Sequence, residues 1–341
     1  MAVVKPFRAL RYDEATAGPL ETLVAPPYDV ISSEQREELR ARSPHNVVRL
    51  TLPDSEDEAA RELEEWRAQG ILVEEPPAVW ALEQEYVGPD GVARTRFGLV
   101  ASLKVEPYET GTVLPHERTH AGPKEGRLRL LRATRVQLEP IFLLYDGKAP
   151  VERPDREPEL EVDGAKLWRI DDPSVVRAFD DKQLLIADGH HRYETAVAFH
   201  EEEGTPASAQ MLVVLVSTDD PGLEIFPTHR VFVEPKRLES EGTGGSEVTE
   251  ITRDGSRVVN VPDGVLDVQL VDTLGQEGIS YTADAAEAER RVHEGEAAVA
   301  YLLRPTQIED VFAYARRGEV LPQKTTYFFP KLISGLLFHP L

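Results

Sequence analysis

The stretch Leu184-Leu185-Ile186-Ala187-Asp188-Gly189-His190-His191-Arg192-Tyr193 constrains this chain more than any other. An apolar, β-prone run stops at Asp188-Gly189. Two histidines and an arginine follow, and then a helical stretch from Glu194 to His200. The pattern predicts a strand, a tight turn and a helix whose first turn is loaded with donors. That first turn has unpaired backbone N–H groups and carries the positive end of the helix dipole. Gly189 lets a ligand approach the backbone closely. With two imidazoles and a guanidinium at the same place, Gly189, His190, His191 and Arg192 make a candidate phosphate cradle.

With 341 residues, 41% of them hydrophobic, the chain has material for one large or two medium domains with a real core. No apolar run is long enough to span a bilayer, and Met1-Ala2-Val3-Val4-Lys5-Pro6 has no apolar signal core, so no membrane partner and a cytoplasmic location are expected. The absence of cysteine excludes disulfides, thiolate metal sites and cysteine nucleophiles. Acidic residues outnumber basic ones 61 to 38, and a net charge of −23 repels nucleic acid. A local basic cluster in such a chain suits a small anion.

The first hundred residues read as a mixed α/β unit. Ser32–Arg42 and Ser55–Gln69 are predicted helices, the first with Gln35 placed to complete a serine cap and the second with a Ser55…Glu58 capping box. The stripe Ala59, Leu63, Trp66 faces a core. Val47–Leu52, Ala78–Tyr86 and Thr95–Lys104 are predicted strands, the last two joined through Gly88-Pro89-Asp90-Gly91. Met211–Ser217 reads as a buried strand, Val258–Val261, Leu266–Leu270 and Glu296–Leu303 as further strands, and Ala283–His293 and Thr306–Arg316 as helices, the latter opening on Thr306…Glu309. The division expected is an N-terminal unit over 1–105 and a second domain over 106–341, with insertions near 147–164 and 240–246.

A second polar cluster is Pro115-His116-Glu117-Arg118-Thr119-His120-Ala121-Gly122-Pro123-Lys124. It contains the string HExxH, whose zinc chemistry needs both histidines on one continuous helix. Pro115 precedes the string and Gly122-Pro123 follows it, so a short or absent helix and no zinc site are expected. Without zinc, Glu117 is a candidate general base. Arg118, Lys124, Arg127, Arg129 and Arg132 either frame an anion or line a solvated helix face. A third cluster, Lys324-Thr325-Thr326, offers an ammonium and two hydroxyls to phosphate oxygens, without the glycine-rich loop of a Walker motif. A fourth, Pro227-Thr228-His229-Arg230, offers His229 and Arg230 as substrate contacts or as a packed loop. The stiff segment Ala25-Pro26-Pro27-Tyr28-Asp29-Val30 presents Tyr28 and Asp29 with no assigned role.

The order Pro115-His116-Glu117, Asp188-Gly189-His190-His191-Arg192, Gly295-Glu296, Arg317-Gly318-Glu319-Val320 and Lys324-Thr325-Thr326 resembles that of the ADP-dependent free-serine kinases, members of the ParB/sulfiredoxin-like superfamily. The likeness covers roughly residues 105 to 330. The central motif also looks like the sulfiredoxin phosphate loop, but His190 stands where sulfiredoxin has its cysteine, which removes sulfinic-acid reduction. Over its whole length the chain resembles domain-of-unknown-function family 1015 (DUF1015) through Pro6-Phe7-Arg8-Ala9, Ala25–Val30, Pro227–Arg230 and Pro322–Tyr327.

The kinase resemblance implies a fold and a set of roles. The fold is α/β with a mixed sheet, a ParB/sulfiredoxin-like nucleotide-phosphate domain with an additional N-terminal α/β unit. Glu117 would take the proton of the acceptor hydroxyl, and Asp188 would sit near Mg²⁺ or that hydroxyl. Gly189, His190, His191 and Arg192 would hold nucleotide phosphates, which Lys324, Thr325 and Thr326 would close in from the other side; His116, His229 and Arg230 are accessory candidates. The implied activity is phosphoryl transfer from ADP or ATP, with magnesium, to a small metabolite, serine first among them. The kinases carry a substrate-contacting tryptophan in the segment matching Ile225-Phe226-Pro227, and this chain has none there. The rival readings are a nucleotide-binding switch of the same superfamily and an HExxH zinc hydrolase.

Overall fold

Seven consecutive residues from Met211 to Ser217 are buried because their strand runs through the middle of a sheet covered on both faces. The computed structural model describes residues 1–117, 121–239 and 246–341. Among these the large sheet runs Val113–Leu114, Leu184–Asp188, Ile141–Tyr145, Gln210–Ser217, Ala93–Lys104, Val79–Val87, Ala165–Ile170, Leu160–Val162, with Val4–Lys5 also paired to Ala93–Lys104. Leu184–Asp188 pairs in parallel with Val113–Leu114, and Gln210–Ser217 in parallel with Ile141–Tyr145. The other ladders, such as Leu184–Asp188 on Ile141–Tyr145 and Gln210–Ser217 on Ala93–Lys104, are antiparallel. The chain is therefore mixed α/β.

Strand alternation sorts the apolar residues into two cores. Trp80, Leu82, Phe142, Leu144, Leu185, Leu212 and Val214 face one core, which the N-terminal helices and the segment 311–338 complete. Val79, Ala81, Ile141, Leu143, Ile186, Met211 and Val213 face the other. The boundary expected at 105/106 falls inside this sheet, since Ala93–Lys104 pairs with Gln210–Ser217 along its length. A five-stranded antiparallel sheet, ordered Gly255–Val261, Ser246–Thr252, Val299–Leu302, His229–Phe232, Ile279–Thr282, has a smaller core of its own.

Several expectations are corrected. Val47–Leu52 is not a strand: Val48–Thr51 is a helical turn started by Asn46, whose Oδ1 accepts the Val48 N–H at 3.0 Å. Leu266–Leu270 is helical as well, Asp267–Asp272, with the Gln269 side chain accepting the Leu266 N–H. Thr306 caps nothing; its hydroxyl turns to the Thr325 carbonyl at 3.4 Å, and the helix spans Ile308–Arg316. The expected loop at 147–164 ends in a strand, Leu160–Val162. The expected insertion at 240–246 lies outside the described residues but for Ser246, which opens a strand.

Candidate functional site

Leu184–Asp188 is a strand, Gly189 turns with φ of 100°, and His190–Glu203 is a helix. Gly189 is required twice over. Its φ is left-handed, and a Cβ there would stand 2.5 Å from Cγ2 of Ile141. Gly189 is also the N-cap and has no side chain to cap the helix, whose first-turn N–H groups carry the positive end of its dipole. They open into a cavity of about 610 Å³ that Glu117, Asp188, Gly189, His190, His191, Arg192, Lys324 and Thr326 all line.

Asp188 sits between two cations. Its Oδ2 accepts from Arg192 Nη2 at 2.9 Å and its Oδ1 from Lys331 Nζ. Burial alone would push the Asp188 carboxyl up, but the charges of Lys331 and Arg192 outweigh it and hold it below its ordinary value. Arg192 also donates from Nη1 to the Pro140 carbonyl. It is thus a buried ion-pair partner at the edge of the cavity.

His116 joins the clusters. Its backbone N–H donates to His190 Nε2 at 3.2 Å, and its carbonyl accepts from the Leu321 N–H at 2.8 Å. Its Nδ1 lies 2.6 Å from the Ile186 carbonyl, which can only accept, so Nδ1 carries the proton. Nε2 is then a lone-pair acceptor, and Thr326 Oγ1, 2.9 Å away, donates to it. Burial lowers the pKa of both His116 and His190, keeping the rings neutral. With Nε2 accepting, His190 keeps its proton on Nδ1.

Glu117 reaches across to the third segment, where its Oε1 accepts the Lys324 N–H at 3.0 Å. Lys324 has a left-handed φ of 56° and lines the cavity. The loop is braced from behind by Arg230, fully buried, which donates to the carbonyls of Thr228 (2.5 Å), Lys324 (3.0 Å) and Gln323 (3.2 Å). His229 is also buried, accepts the Leu303 N–H at 3.1 Å, and is pushed down to about 4, chiefly by burial. Neither residue lines the cavity, and their contacts are those of the packed-loop alternative. Thr325 is likewise buried, its hydroxyl given to the Pro322 carbonyl at 2.5 Å, and it does not line the cavity.

Helix Ala121–Thr134 includes Gly122 and Pro123 in its first turn. Gly122-Pro123 thus lies inside a described helix and does not end one there. His116 and Glu117 precede the helix, both ring nitrogens of His116 are engaged, and Arg118 and His120 lie outside the described residues. The basic residues that follow form ion pairs, Arg129 with Glu56 at 2.8 Å and Arg132 with Glu202 at 2.6 Å, which is the solvated-face alternative.

Lys331 is missed by sequence reasoning. So are the aromatic wall residues Tyr281 and Tyr327. Tyr28 and Asp29 gain a place there through the stiff loop, which Glu139 Oε1 holds by accepting from the Tyr28 N–H at 3.1 Å and the Ser334 hydroxyl at 2.6 Å. Each Asp188 carboxylate oxygen already accepts from a cation. No group of three His, Asp or Glu side chains placed to hold a metal occurs among the described residues. No helix among them is long and apolar enough to cross a membrane.

The family model described as "Protein of unknown function (DUF1015)" matches residues 4–249, a span that includes Glu117 and Asp188–Arg192 and ends before Lys324. No curated protein matches the sequence. Among solved structures, the chain is similar to a free serine kinase in complex with AMP (TM-score 0.40, 16% identity, 66% of this chain and 89% of that one). It is also similar to SbnI from Staphylococcus aureus (0.42, 13%, 68% and 85%) and to a conserved hypothetical protein from Pyrococcus furiosus (0.36, 16%, 66% and 92%).

Proposed function

The chain belongs to the DUF1015 family, a membership that assigns no chemistry, and we propose from its cavity that it transfers a phosphoryl group from ADP or ATP to the hydroxyl of a small metabolite. One observation carries this reading. A carboxylate, a helix start with glycine at its N-cap and a lysine ammonium, from three distant segments, line one cavity of about 610 Å³. That volume is within the range of small-molecule sites, roughly 300–1,000 Å³. Tyr28, Tyr281 and Tyr327 give the same cavity aromatic surface of the kind a nucleobase packs against.

Phosphoryl transfer is mostly positioning and charge neutralisation. The N–H groups after Gly189 and the Lys324 ammonium bind donor phosphates. Glu117, held in place by the Lys324 N–H, accepts the proton of the incoming hydroxyl. Asp188, Arg192 and Lys331 form the charged floor. Magnesium is assigned no protein ligand here, because the carboxylate expected to meet it is already paired with two cations. Free L-serine is the first acceptor to try, on the motif order shared with the serine kinases.

The test is a product screen: ADP or ATP with Mg²⁺ and a pool of hydroxyl-bearing metabolites, read for new phosphorylated species. Glu117→Gln should lower turnover by on the order of 10²–10⁴ while leaving nucleotide affinity in place. Nucleotide binding without a product from any pool would favour a regulatory switch. No nucleotide binding at all would end the phosphotransfer reading.

A further inference from the structure

Thr326 has an unusual placement for a residue that only contacts phosphate. Its hydroxyl proton is committed to His116 Nε2 at 2.9 Å, so its oxygen offers only lone pairs to the cavity it lines. Behind it, His116 is fixed at every polar atom: by Ile186 and Thr326 on its ring, by His190 and Leu321 on its backbone. A hydroxyl hydrogen-bonded to a neutral imidazole, itself oriented by a third group, is the geometry of an activated nucleophile. The same cavity holds the helix start and Lys324, groups suited to the charge that develops on a transferring phosphoryl group.

We propose that Thr326 is a covalent phosphoryl acceptor, with His116 as its base, so that transfer proceeds through a phosphothreonine. The proposal rests on the phosphotransfer reading and adds an intermediate to it. In the first step Thr326 Oγ1 attacks the terminal phosphorus of the donor. The Oγ1–P bond forms, the bridging P–O bond breaks with its electrons leaving on the product nucleotide, and the hydroxyl proton passes to His116 Nε2. In the second step the acceptor hydroxyl, deprotonated by Glu117, attacks the same phosphorus. Thr326 Oγ1 leaves and takes its proton back from His116. Glu117 and Asp188 both favour the transient imidazolium by charge, against the cost of burial.

A double-displacement path predicts a reaction that needs no acceptor. Labelled product nucleotide, ADP for an ATP donor or AMP for an ADP donor, should exchange into the donor pool. The full chain is incubated with donor, labelled product and Mg²⁺ and no metabolite, and nucleotide binding is measured by calorimetry in parallel. The wild type should exchange label, and the peptide containing Thr326 should gain the mass of one phosphoryl group. Thr326→Val, close in shape, should lose exchange by on the order of 10² or more with nucleotide affinity retained. Thr326→Ser should keep it. Nucleotide binding with neither exchange nor adduct in the wild type would overturn the intermediate and leave direct transfer standing. Exchange at the wild-type rate in Thr326→Val would overturn it too. Absence of nucleotide binding would remove the intermediate and the phosphotransfer reading together.

Discussion

Asp188 makes an unequal three-body cluster, and its dissection tests the account of the cavity floor. Asp188→Asn leaves two cations, Lys331 and Arg192, without the carboxylate that pairs them. Lys331→Met leaves Asp188 still held by Arg192 at 2.9 Å. Removing one partner of a fully buried pair costs about 3–5 kcal/mol. The Lys331 and Asp188 side chains are 22% and 19% exposed, so the lower part of that range applies. Asp188→Asn should cost about 3–4 kcal/mol and Lys331→Met about 1–2 kcal/mol. The double variant removes one of the stranded cations and should cost less than the sum of the two by about 1 kcal/mol. Urea unfolding followed by circular dichroism gives these values from the midpoints, provided the slope m is unchanged. A Lys331→Met cost equal to or above that of Asp188→Asn would refute the cluster, as would strict additivity.

Gly189→Ala should cost more than the roughly 1–2 kcal/mol of a left-handed non-glycine residue, because its Cβ meets Ile141, and should abolish nucleotide binding; thermal shift with and without ADP reads both. Acid should destabilise the protein through His229 and His339, buried neutral with values pushed down to about 4, since the unfolded chain binds protons below about 6.5 and the folded one does not. Each then removes on the order of 3 kcal/mol as pH falls from about 6.5 to 4, and a flat urea midpoint over that window would contradict it. Arg230→Met should weaken nucleotide binding through the 323–324 loop that it braces, which calorimetric titration with ADP would check.

What was legible in the sequence was local. The strand, turn and helix around Gly189 were readable because each signal lies within ten residues of the next, and so was the Ser32 cap with Gln35. Val47–Leu52 misled because Val47, Val48 and Leu50 make an apolar run that suits a buried turn as well as a strand, and Asn46 decides for a turn by bonding back to Thr22 and Val24. Lys331 carried no motif at all. Its meaning comes from Asp188, 143 residues earlier, and only the folded chain joins them. Arg230 and Thr325 look like site residues in sequence because bracing a loop from behind uses the same donors as binding a ligand from in front.

The cavity draws on Glu117, on residues 187–192 and on the segment 324–331, which follows the other two in the chain. Synthesis delivers the N-terminal parts first. A chain still on the ribosome short of residue 324 lacks the Lys324 ammonium, the Thr326 hydroxyl and the Lys331 partner of Asp188. The helix start after Gly189 is then present, but nothing faces it. A fragment that stops before residue 324 therefore lacks one side of the cavity.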